Sequence, residues 1–161
     1  MPPSREVLIL GLGNRLMSDD AAGLLAVKRL AEIKPSGTRV LDGGTVGMAL
    51  LPEIEASAAL IAVDAASFGA APGTVATFEG SEMDRMLTGV KKTAHEVALS
   101  DLIGAALLSG SCPARRALVA VQPQAIALGL EPTPAVAAAI PDMISVVLSI
   151  LKRWSGEAQA A

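Results

Sequence analysis

The stretch GLGNRLMSDDAAG, Gly11–Gly23, lies between an apolar run, VLIL (Val7–Leu10), and a segment with helical periodicity. A glycine turn between a buried strand and a helix is how an open α/β sheet begins. It is also where such folds cradle phosphate, on the N–H groups of a helix N-terminus. Here two adjacent carboxylates, Asp19 and Asp20, occupy the mouth of the turn. Unscreened carboxylates repel phosphate, so the loop reads as one that faces a positive centre or activates water. The spacing agrees: Gly11-Leu12-Gly13 opens a G-x-G-x-x-G pattern, but the third glycine position holds Leu16.

Outward from this loop, Val7–Leu12 reads as a buried strand and Ala21–Ile33 as a helix with a stripe at Leu24, Leu25, Val27 and Leu30. Ser18–Asp20 supplies N-cap chemistry, and KPSG (Lys34–Gly37) ends the helix. Arg39–Leu41 is a second strand, DGGTVG (Asp42–Gly47) a turn, and Met48–Glu55 a short helix disturbed at Pro52. Leu60–Val63 is a third strand ending at Asp64. FGAAPG (Phe68–Gly73) is too short for a crossover helix, so Thr74–Phe78 is expected to run antiparallel to that strand. TAHE opens a helix over Thr93–Leu108 with a capping box at Thr93 and Glu96, and Ala117–Val121 is the last strand. The final helix is expected from near Pro134 to Trp154, with Pro141 kinking it or marking its true start, and residues 155–161 as a frayed tail. Alternating strands and helices without an internal repeat or linker define one α/β domain, residues 1–161, around a mostly parallel sheet.

Composition narrows the function. A chain of 161 residues suits one domain with a real core, and 52% apolar with only 2% aromatic residues means a core of Ala, Leu, Ile and Val. Thirteen Lys and Arg against 16 Asp and Glu give a net charge of −3, which offers nucleic acid no electrostatic footing. The one cysteine, Cys112, excludes an intrachain disulfide and a cysteine zinc knuckle, and suits a reducing, cytoplasmic compartment. MPPSREVLIL lacks signal-peptide features, and Ala135–Leu151 carries too many polar residues for a membrane span, so no membrane insertion is expected.

Four polar clusters fall at the carboxyl edge of the sheet on this reading: Asp19 with Asp20, Asp42, Asp64 and His95. Asp20, Asp64 and His95 form an O,O,N set that suits zinc, nickel or manganese, or general-base work on a water. His95 is the only histidine, and the first turn of a helix favours the neutral, metal-binding ring. The blander roles stand beside these: Asp19 and Asp20 also suit helix caps, and a first-turn histidine also suits the surface. In DGGTVG, Gly43 and Gly44 permit close approach by a partner's main chain, and equally a tight corner in which Thr45 caps the next helix. Met17 and Met48 flank the two loops and suit a peptide contact or core filling. Cys112 has no neighbouring histidine or acid to make it a nucleophile.

Together these motifs resemble the NiFe-hydrogenase maturation endopeptidases. The resemblance rests on GLGNRLMSDDAAG, LDGGTVGMALL (Leu41–Leu51), LIAVDAA (Leu60–Ala66), APGT (Ala71–Thr74), TAHEVALSDLI (Thr93–Ile103) and VAVQPQAIALGLEPTPAV (Val119–Val136), in order over nearly the whole chain. It implies a single three-layer domain: a twisted five-stranded, mostly parallel sheet with one antiparallel strand and helices on both faces. It implies a hydrolase that removes the C-terminal extension of a NiFe-hydrogenase large-subunit precursor after nickel insertion. Asp20, Asp64 and His95 match the family's metal-contacting, catalytic positions. Asp42, Gly43, Gly44, Thr45 and Gly47 match its substrate-recognition turn. Ala21 stands where many members have Gly. The metal is then nickel carried by the substrate rather than a permanent cofactor, with other divalent ions competing for the site in vitro. The alternatives are a Rossmann-like nucleotide-binding module, with Asp42 on the ribose, and a metallohydrolase with its own zinc.

Overall fold

A computed structural model describes residues 6–44, 47–88 and 94–160, with the backbone alone for 94–98 and 158–160. Five strands form one sheet: β1 (Val7–Leu12), β2 (Thr38–Gly44), β3 (Ala59–Ala65), β4 (Val75–Glu79) and β5 (Arg115–Val121), in the order β2-β1-β3-β5-β4. Four run parallel, and β4 is antiparallel on one edge, paired with β5. The helices are α1 (Ala22–Ile33), α2 (Leu51–Ala56), α3 (Ser81–Thr88), α4 (Ala94–Leu108) and α5 (Pro134–Ala160).

Alternation along each strand divides the core. Ile9, Ile61, Val63 and Val119 face α1 and α5, meeting Val27, Leu30, Met143 and Val147. Leu8, Leu10, Leu60 and Leu118 face the other layer, meeting Ile54, Met83, Leu99 and Leu102. Helices on both faces explain why the strands read as unbroken apolar runs. The helix α5 has the length and hydropathy of a membrane span, but its stripe of Val136, Ile140, Met143, Val147 and Trp154 is spent on the sheet.

The structure extends or corrects several expectations. β2 continues through Asp42, Gly43 and Gly44, because a bulge at Gly11/Leu12 lets the β1 pairing follow it. Pro52 stands at the first turn of α2, where its missing N–H costs nothing, so it starts the helix rather than disturbing it. Pro141 lies inside α5, and that helix runs on to Ala160 instead of fraying after Trp154. The short α3 was not expected, although Met83, Met86 and Leu87 carry helical spacing. Thr93 lies outside the described residues.

Glycine sets how closely α1 meets the sheet. A Cβ at Gly23 would stand 2.2 Å from the Val63 carbonyl oxygen and 2.7 Å from that of Leu12, and one at Gly11 would stand 2.4 Å from Val27 Cγ2. At Gly23 the obstacles are backbone and cannot move aside. Gly23→Ala should therefore destabilise by about 2–3 kcal/mol in urea unfolding, through overpacking. Gly104→Ala, in α4 with open space around the added methyl, should be neutral or stabilising by up to about 1 kcal/mol.

Candidate active site

The connection out of β1 leads to β2 on one side, whereas the chain leaving β3 crosses to β5 and β4 on the other. The crevice beyond the carboxyl ends of β1 and β3 is thus the topological switch point, where open α/β sheets bind ligands. Asp64 lies near the end of β3, and Asp20 lies in a 3₁₀ turn, Ser18–Ala21, that packs on β3. Both side chains are about 1% exposed.

Gly13 packs between the Asp20 main chain and the Asp64 side chain. Its φ is +137°, and a Cβ there would stand 2.0 Å from the Asp20 carbonyl oxygen and 3.8 Å from Asp64 Oδ1. No other residue fits that space. The Asn14 N–H donates to Asp20 Oδ2 at 3.0 Å, and the Ala65 N–H donates to Asp64 Oδ1 at 2.8 Å.

The loop spends its own donors. The Gly13 N–H is taken by the Gly44 carbonyl, Met17 N–H by Asn14, Ser18 N–H by Gly129, Asp19 N–H by Ala125 and Asp20 N–H by Met17. The Leu16 N–H goes to Asn14 Oδ1. A phosphate cradle needs such groups free. These bonds leave none of the N–H groups named above to a nucleotide phosphate, and Asp42, the ribose ligand of that alternative, is ion-paired with Arg15.

Asp19 differs from its neighbour. It is fully buried; its Oδ2 accepts the N–H groups of Gln124 (2.8 Å) and Ala125 (2.9 Å), and its Oδ1 accepts that of Thr133 (2.6 Å). The Thr133 hydroxyl donates to both oxygens at 2.9 Å. Burial raises its pKa, but these donors outweigh burial and hold it below the usual carboxylate range. Neither Asp19 nor Asp20 caps a helix through its side chain, which corrects the capping expectation. Asp19 instead staples the segment after β5. Its partners are backbone groups 105 to 114 residues away, for which the sequence carries no mark.

The DGGTVG segment divides by residue. Asp42 Oδ1 accepts the Gly44 N–H at 3.0 Å while its Oδ2 pairs with Arg15, so Asp42 ties the two glycine loops together. A Cβ at Gly43 would strike Leu10 Cδ1 and the Gly11 carbonyl oxygen at 2.8 and 2.9 Å, an internal packing need. Gly44 (φ +49°) and Gly47 (φ +70°) are left-handed, and at most the Asp42 carboxylate, 3.7 Å from Gly44, stands near an added methyl. Thr45 lies outside the described residues. His95 belongs to the first turn of α4, which packs on the 3₁₀ turn Gly47–Leu50, and its side chain also lies outside them. Among the described residues no three His, Cys, Asp or Glu side chains group to hold a metal.

Three further residues refine the picture. Gln122, passed over in the sequence, accepts the Phe68 and Ala70 N–H groups at 2.8 and 3.3 Å and so stitches the segment after Asp64 to the end of β5. Its signal was a polar residue closing an apolar strand. Met48 is 52% exposed, so it does not fill the core. Burial pushes the Cys112 thiol up, only partly offset by Arg116, as suits an inert cysteine.

An open mixed α/β sheet with Asp20 and Asp64 at its switch point serves many functions, and the comparisons with known proteins specify which family this one belongs to. The family model of HycI, hydrogenase maturation protease, matches residues 25–150. The hydrogenase expression/formation protein HupD of Rhodobacter capsulatus is 38% identical, over 94% of this chain and 74% of its own length. HoxM of Azotobacter vinelandii is 35% identical over 74% of this chain, which spans 58% of that relative. The hydrogenase maturating endopeptidase HybD from E. coli superposes with a TM-score of 0.85 at 33% identity, covering 92% of this chain and 93% of its own. The chain belongs to the hydrogenase maturation protease family, a family of hydrolases.

The staple makes a pH prediction. Asp19 has a native pKa below its unfolded value of about 3.9, so its stabilisation is complete above that pH and is lost as pH falls through the native value. Asp19→Asn, which turns an amide donor toward backbone donors, should cost about 2–3 kcal/mol at pH 7. The gap to the parent protein in urea unfolding should close in acid. A gap that persists undiminished would mean that the charge is not what holds the segment.

Proposed function

We propose that this protein is the cytoplasmic endopeptidase that removes the C-terminal extension of a NiFe-hydrogenase large-subunit precursor once nickel is in place. The observation that carries the reading is that Asp20 and Asp64 are both buried at the switch point, with Gly13 packed between the Asp20 main chain and Asp64 Oδ1. Two carboxyl groups at one strand-end edge are oxygen ligands that suit a metal ion.

In this reading the cation arrives with the substrate. Asp20, Asp64 and His95 supply an incomplete O,O,N set, leaving coordination positions for ligands that the precursor already provides. A precursor without nickel offers these ligands nothing to coordinate and does not dock productively. Cleavage then follows the logic of peptide hydrolysis. Water adds its oxygen to the scissile carbonyl carbon, a carboxylate takes the proton, and the C–N bond breaks with that proton passing to the departing amine. Of the turn formed by Asp42, Gly43, Gly44, Thr45 and Gly47, the open, left-handed Gly44 and Gly47 give the precursor's main chain its closest approach, while Asp42 and Gly43 hold the turn in shape.

Asp20→Asn and Asp64→Asn should each lower processing of nickel-loaded precursor by about 10²–10⁴-fold while circular dichroism stays native, and His95→Ala should do the same. The parent protein should leave nickel-free precursor uncut. Efficient cleavage of both forms would remove the nickel from the account, and normal processing by any of the three variants would remove that residue from the site. Gly44→Val should impair cleavage more than calorimetric binding of a free divalent ion, since it leaves the three ligands in place; equal losses would make the turn a support of the metal site.

A further inference from the structure

The segment from 122 to 133 has no regular secondary structure beyond one bridge, yet it is tightly held. Asp19 fixes it at Gln124, Ala125 and Thr133. Its middle is zipped to the glycine loop by a parallel bridge, Met17 to Gly129, in which the Ser18 N–H donates to the Gly129 carbonyl and the Gly129 N–H donates to that of Leu16, both at 2.9 Å. The Ser18 hydroxyl donates to the Ala127 carbonyl at 2.7 Å, and a Cβ at Gly129 would stand 2.7 Å from that hydroxyl oxygen. All this order presents apolar side chains to water: Leu128 is 85% exposed, Leu130 is 78% and Leu16 is 56%. Ser18 is two residues from Asp20, so this surface adjoins the crevice.

Exposed apolar patches with a rigid backbone mark interaction sites, because prior ordering lowers the cost of binding. The charge pattern selects the partner. Between 122 and 133 the only charged residue is Glu131, and between 11 and 18 the only one is Arg15, which is paired with Asp42. A nucleic acid or an acidic peptide finds no cationic surface here, and an uncharged apolar segment finds a match.

Resting on the function proposed above, we infer that Leu16, Leu128 and Leu130 form the surface on which an uncharged, apolar segment of the precursor polypeptide lies while its scissile bond reaches Asp20 and Asp64, with Asp19 as the positioning residue that holds this surface in register. The surface contributes affinity rather than chemistry, so it acts on KM and not on kcat.

The test is steady-state cleavage of nickel-loaded large-subunit precursor by the parent protein, by Leu128→Ser/Leu130→Ser, by Asp19→Asn and by Leu108→Ser. Leu108 is 92% exposed at the end of α4 and serves as the control. Exposed substitutions of this kind leave the fold intact. KM should rise about tenfold or more in the double variant, equivalent to about 1.4 kcal/mol of binding, with kcat within about twofold. It should rise in the same direction in Asp19→Asn and stay unchanged in Leu108→Ser. Cleavage by the parent protein with an unaltered KM in the double variant overturns this inference and leaves the proposed function standing. A kcat loss at unchanged KM also overturns it, by making the segment part of the chemistry. Failure of the parent protein to cut the nickel-loaded precursor at all overturns the proposed function, and the inference with it.

Discussion

The missing side chain of Gly23 sets the geometry on which the rest depends. With the Val63 carbonyl oxygen 2.2 Å from where a Cβ would be, α1 lies directly on β1 and β3. That contact brings the preceding 3₁₀ turn, which carries Asp20, down onto β3, which carries Asp64. Gly11, against Val27, and Gly13, against the Asp20 carbonyl, extend the same constraint along the loop. The three glycines do structural work that a dinucleotide fingerprint would also ask of glycine, close backbone and helix approach, yet they lead to a different electrostatic outcome. The loop they shape carries acids, and the N–H groups of Gly13, Asn14, Leu16, Met17, Ser18, Asp19 and Asp20 are spent within the protein.

The neighbouring acids divide two tasks. Asp19 is surrounded by donors and acts as an internal fastener between the first loop and the segment after β5. Asp20 accepts the Asn14 N–H, and its main chain packs against Gly13. In the proposed function Asp20 and Asp64 coordinate the substrate's nickel, which links cleavage to metal loading without a separate sensor. Asp42 and Arg15 tie the second loop to the first, so that both sides of the crevice belong to one hydrogen-bonded unit.

Much of this was legible from the residues. The boundaries of β1 and α1 follow from an apolar run ending in glycine and a stripe at Leu24, Val27 and Leu30, signals that tertiary packing does not override. Asp64 stood out because a carboxylate closing an apolar strand needs a partner. Asp42–Gly44 read as a turn because Asp-Gly-Gly is turn chemistry; only the bulge in β1 reveals that pairing carries the strand further. The staple at Asp19 was hidden for a different reason. Backbone N–H groups are present at almost every position, so no residue type announces that Gln124, Ala125 and Thr133 will meet that carboxylate. The exposed leucines were hidden too, since sequence alone does not separate an apolar residue spent on the core from one left on the surface.

The central claim is that Asp20, Asp64 and His95 meet nickel held by the substrate. Nickel-edge X-ray absorption of the loaded precursor, alone and in complex with this protein, tests it directly. The account predicts that complex formation adds nitrogen and oxygen scatterers to the first shell of nickel, including an imidazole signature, and that the double variant Asp20→Asn/Asp64→Asn loses the oxygen contribution. An unchanged nickel environment in a complex that still proceeds to cleavage would contradict it.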